Sequence, residues 1–106
     1  MGYLKPAEYT LLDAVTTTGA GTAITTNKIK GWTFVITAAS VTTGGTVDIE
    51  AELNGSWISI HSEAVTADGN TVVRDEHGHY TQLRANVTAR TDGTYTVSAT
   101  GSTSGF

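Results

Sequence analysis

The 106-residue chain has no cysteine, one proline and one methionine, and only 15% of its residues are charged. Without cysteine, thiol catalysis, thiolate metal sites and disulfide stapling are excluded. Six basic side chains stand against ten acidic ones, for a formal net charge of -4. Apart from Lys28 and Lys30 the basic residues are scattered, which argues against a partner bound through a phosphate backbone. No run approaches the roughly 18 apolar residues of a membrane span. The start, Met1-Gly2-Tyr3-Leu4-Lys5-Pro6, lacks the apolar h-region of a Sec signal. Synthesis in a cytoplasm, solubility, and no nucleic-acid or membrane partner are therefore the expectations. Leu, Lys, Glu and Gln, which favour helices, are sparse.

Threonine, valine and glycine are abundant instead. Threonine and valine are stiff at χ1 and fit a pleated surface, and glycine supplies turns. From Trp32 to Thr37, Trp32, Phe34 and Ile36 alternate with Thr33, Val35 and Thr37. From Thr46 to Leu53, Val47, Ile49, Ala51 and Leu53 alternate with Asp48, Glu50 and Glu52. This period of two belongs to strands. Asn54-Gly55 follows at once and marks a tight hairpin, because both positions of a type I′ turn need φ > 0. Leu83, Ala85 and Val87 alternate with Arg84 and Asn86, and Tyr95, Val97 and Ala99 with Thr94, Thr96 and Ser98.

Turn signals recur every 8 to 12 residues, the spacing of a sandwich or barrel. The expected fold is an all-β antiparallel β-sandwich, jelly-roll or Ig-like, of seven to nine short strands. Residues 1–8 read as an extended N-terminal arm, 9–100 as the sandwich and 101–106 as a loose tail. The expected core is Leu12, Phe34, Ile36, Val47, Ile49, Leu53, Leu83, Val87, Tyr95 and Val97.

Chemistry-bearing clusters are few. Asp75, Glu76, His77 and His79 combine carboxylates with imidazoles that can ligate a metal. They carry no fixed-spacing zinc signature and read as a solvated loop, so no metal or other cofactor is expected. Asp48, Glu50 and Glu52 form a stripe that reads as a solvated strand face and not as an acid–base pair. His61 reads as a partly buried packing residue on the face of Trp57 and Ser59. No nucleophile elbow is present, and the chain is not expected to be an enzyme. Trp32, Trp57, Tyr80, Arg84 and Phe106 are the candidates for an interface or for stacking on a ligand.

Three segments resemble small virion proteins of tailed bacteriophages: Tyr9-Thr-Leu-Leu-Asp-Ala-Val-Thr-Thr-Thr-Gly-Ala-Gly-Thr-Ala-Ile24, Val47-Asp-Ile-Glu-Ala-Glu-Leu-Asn-Gly-Ser-Trp57, and Tyr80-Thr-Gln-Leu-Arg-Ala-Asn-Val-Thr-Ala89 with the hairpin Gly93-Thr-Tyr-Thr-Val97. The resemblance implies a β-sandwich virion component. Its expected role is a capsid decoration, or cement, protein that binds the outer capsid lattice as a homo-oligomer, a trimer being one such assembly. Its partners would be the major capsid protein or other virion proteins, and its location the virion. Tyr3, Leu4, Lys5 and Pro6 are the expected capsid contacts. The alternative is a tail or host-recognition module that binds carbohydrate through Trp32 or Trp57.

Overall fold

A computed structural model describes residues 7–26, 31–75 and 80–102. Among these lie nine strands: β1 (Ala7–Val15), β2 (Gly19–Ala20), β3 (Ile24–Thr25), β4 (Gly31–Ala39), β5 (Gly45–Leu53), β6 (Ser56–Val65), β7 (Gly69–Asp75), β8 (Gln82–Arg90) and β9 (Thr94–Ser102). One antiparallel sheet, here sheet A, has the order β1-β9-β4-β7. Sheet B has the order β2-β8-β5-β6, with β3 also pairing β8. The fold class read from alternation is the observed one. The hairpin is also where expected, with Asn54 at φ 54° and Gly55 at φ 82°.

The alternate residues of the four inner strands meet between the sheets. Phe34 and Ile36 of β4 and Tyr95 and Val97 of β9 lie against Val47 and Ile49 of β5 and Leu83 and Val87 of β8, all at most 1% exposed. Each large apolar member contributes roughly 1.5–3 kcal/mol on burial.

Four details depart from the sequence reading. Leu53 is 39% exposed, because β5 runs past Ala51, the last of its residues to pair with β8. Leu11 is buried beside Leu12, where the β1–β9 register shifts between Thr10 and Leu12; a bulge places two successive side chains on the core side, which strict alternation forbids. A second bulge separates the pairs Ile49–His61 and Glu50–Ser59. It turns His61 from the face of Trp57 to the core side, where its Nε2 lies 2.9 Å from Glu63 Oε1. Finally, Ala7 and Glu8 already pair with Gly101 and Thr100, so strand pairing begins inside the expected arm and runs on into the expected tail.

The connections that cross between sheets at one end are clasped together. Asp92, between β8 and β9, accepts hydrogen bonds from the backbone N–H groups of Thr42, Thr43 and Gly44, between β4 and β5, at 2.8–3.1 Å. The Gly44 carbonyl in turn accepts from Thr91 and Asp92 N–H. The Tyr95 hydroxyl, at the start of β9, donates to the Asp92 carbonyl at 2.7 Å, an arrangement like the tyrosine corner of other sandwiches. Asp68, between β6 and β7, accepts from Val41 N–H at 2.7 Å. Gly44 is required here: its φ is +103°, and a Cβ would sit 1.8 Å from the Val65 carbonyl oxygen.

The backbone donors hold the Asp92 carboxyl below its ordinary pKa of 3.8, Thr43 contributing most, with Thr42 and Gly44 next. A depressed folded-state pKa means that the stabilisation is complete above the unfolded value and is lost as pH falls through the folded one. Melting temperatures of the wild type and Asp92→Asn are therefore expected to differ most above pH 3.8 and to converge in more acidic solution. Gly44→Ala is expected to cost about 2–3 kcal/mol or more from backbone strain and clash, read by urea denaturation.

Candidate functional site: the outer face of sheet B

On the side of sheet B away from the core, β8, β5 and β6 present Arg84 and Asn86, then Asp48, Glu50 and Glu52, then Trp57 and Ser59. Register brings them into line: Glu50 pairs with Arg84 on one side and Ser59 on the other, and Asp48 with Asn86 and Ser62. Arg84 reaches across β5. Its Nε donates to Glu50 Oε1 at 2.7 Å, and its guanidinium carbon lies 4.2 Å from the centroid of the Trp57 ring. The Asn86 amide donates to Glu50 Oε2 at 3.1 Å.

The expected solvated stripe is thereby corrected. Glu50 is only 9% exposed, because Arg84 and its neighbours close over it. Glu52 is occupied as well, accepting from Gly55 N–H at the hairpin tip at 2.7 Å. Asp48 Oδ1 is buried without a hydrogen-bond partner. Both oxygens of Glu50 are held by donors.

The other candidates fall in different places. Trp32, expected at an interface or beneath a ligand, is 2% exposed. It belongs to the core, stacked on Phe34 at 6.0 Å and tilted against Tyr9 at 5.9 Å, because it alternates in phase with Phe34 and Ile36. Its indole N–H is buried without a partner. Tyr80 packs half-buried against the core. Trp57 and Arg84 stand together, with the guanidinium over one face of the indole, so that face is not open to a sugar. Tyr3, Leu4, Lys5, Pro6 and Phe106, and Glu76, His77 and His79 of the loop considered for metal, lie outside the described residues. Among the described residues no three His, Asp or Glu side chains gather as a metal site would require.

Asn86 is the member of the cluster that sequence reasoning missed. The signal was present: it lies two residues from Arg84 on a strand whose other face is Leu83, Ala85 and Val87. What alternation does not supply is the register that sets these residues opposite Glu50.

The fold has a relative among solved structures. The crystal structure of the SPBc2 prophage-derived protein YomS superposes with a TM-score of 0.68, at 13% identity, over 96% of this chain and 99% of that one. At this identity the likeness shows a shared sandwich architecture from end to end. No family model matches the chain, and no curated protein matches it significantly.

Removing the cation would leave a largely buried carboxylate against a bare indole. Arg84→Ala is expected to destabilise the domain by about 1–3 kcal/mol. The double variant Arg84→Met, Glu50→Met should recover most of that loss. Chemical denaturation of the wild type and of these two variants measures both effects.

Proposed function

We propose that this chain is a non-enzymatic structural protein of a tailed-phage virion, and that it decorates the outer capsid lattice as a homo-oligomer. The observation that carries the reading is the end-to-end likeness to a prophage-derived protein of nearly the same extent, which joins the resemblance of the Tyr9–Ile24, Val47–Trp57 and Tyr80–Ala89 segments to phage virion proteins. The surfaces support it. Two depressions among the described residues are open, with threonine, serine and alanine forming much of their lining, and on sheet B Glu50 is bound to Arg84 and Asn86 and Glu52 to the Gly55 N–H. A small domain of this kind acts through its faces, and repetition over a lattice turns modest single contacts into strong attachment.

In this reading the major capsid protein is the partner and Tyr3 to Pro6 are the contact segment. The carbohydrate-binding alternative has less support, since Trp32 is buried and Trp57 is covered on one face by Arg84.

Particles purified from the phage that encodes the chain should contain it in a copy number set by the lattice. Capsids assembled without it should melt at a lower temperature, and added protein should restore the transition. Its absence from purified particles, established by mass spectrometry, would exclude the proposal.

A further inference from the structure

The outer face of sheet A differs from that of sheet B. Register sets its side chains in rows across the four strands. One row is Glu8–Thr100–Thr33–Arg74, and the next is Thr10–Ser98–Val35–Val72. A third holds Thr96, Thr37 and Asn70. Small hydroxyl and valine side chains fill these rows, and the only charges in them are Glu8 at one edge and Arg74 at the other. Val72 is 54% exposed. Towards the opposite edge of the same face, β1 and β9 form an open depression of about 270 Å³ along Glu8, Thr10, Ser98 and Thr100. Part of the face is already satisfied internally: Thr37 donates to Asn70 Oδ1 at 2.8 Å, and Thr96 accepts from Ala14 N–H at 3.1 Å. Among the described residues neither Glu8 nor Arg74 has an ion-pair partner within its own chain.

We infer that this face docks against the same face of a second copy of the chain, about a two-fold axis running along the strands between β9 and β4. That operation leaves each row at its own level and exchanges the edges, so β1 of one copy meets β7 of the other. Glu8 then faces Arg74 of the second copy, and Arg74 faces Glu8, giving two equivalent ion pairs at the rim. Val72 meets the depression beside Thr10 and Ser98, again twice. The surface is complementary to itself, as a two-fold interface demands. Two sheets packed face to face at about 10 Å is also the spacing of ordinary sandwiches. The charges decide the occupant: a face with one acid and one base at opposite ends of one row matches its own image rotated about the strand direction, whereas a two-fold axis across the strands at that row would lay β1 on β1 and β7 on β7 and set like charges together. Four strands at about 4.8 Å by nine residues at about 3.3 Å cover roughly 19 by 30 Å, a small interface that favours a reversible dimer.

The inference is independent of the virion reading, because it concerns the free protein. Analytical ultracentrifugation over a micromolar concentration series tests it with the wild type, Glu8→Arg, Arg74→Glu and the double swap. Both substituted positions are on the surface, and circular dichroism with melting curves confirms that each variant folds. The wild type should dimerise reversibly. Each single swap sets two like-charge pairs at the rim and should weaken dimerisation about tenfold or more. The double swap restores both pairs in reversed polarity and should return the affinity to near the wild-type value. A wild type that stays monomeric throughout the series overturns the proposal. So do single swaps that dimerise like the wild type, and so does a double swap that remains as weak as the singles.

Discussion

Everything in this domain depends on the burial of alternate side chains between two pairs of inner strands, β4 and β9 on one side and β5 and β8 on the other. Once Phe34, Ile36, Tyr95 and Val97 face Val47, Ile49, Leu83 and Val87, the remaining residues of those strands must point outwards. The outward faces are therefore consequences of the core: the Glu50–Arg84–Trp57 cluster and the threonine–valine rows both occupy positions that the core leaves over. The order of strands follows from connections that pass repeatedly from one sheet to the other, and Asp92, Gly44 and Tyr95 clasp two of these connections at one end. A carboxylate that satisfies three backbone N–H groups and a buried phenol that satisfies a carbonyl remove polar groups that the crossing would otherwise leave unpaired.

The alternation itself was legible in the residues. Trp32, Phe34 and Ile36 on one side of a strand, and Leu83, Ala85 and Val87 on another, leave little choice of secondary structure, and Asn54-Gly55 fixes one hairpin. Three things were not legible, for physical reasons. Bulges were one: the extra residue near Leu11 and the one near His61 each change which face the following side chain takes, and nothing in local composition announces them. Strand ends were another: Leu53 continues the apolar pattern of β5 but has outrun the strand that would bury it. Register was the third. Glu50 alternates with core residues and so reads as exposed, yet Arg84 and Asn86 on the neighbouring strand close over it. That closure is long-range, and it converts an apparent acidic stripe into a nearly buried ion pair.

The two outer faces dispose their charges differently. On sheet B Glu50 is held by Arg84 and Asn86, and Glu52 by the hairpin backbone. On sheet A Glu8 and Arg74 lie apart at the edges of a weakly polar field, neither paired with a counterion among the described residues.

The most direct test of this account is residue-resolved hydrogen exchange of the backbone amides. If the inner strands carry the stability, the paired amides of β4, β9, β5 and β8 exchange slowest, through global opening. The amides of β6 and β7 that point away from their sheets exchange fast. Protection in those outward amides equal to that of β9, or exchange in β9 as rapid as at the edges, would contradict the claim that the four inner strands hold the molecule together.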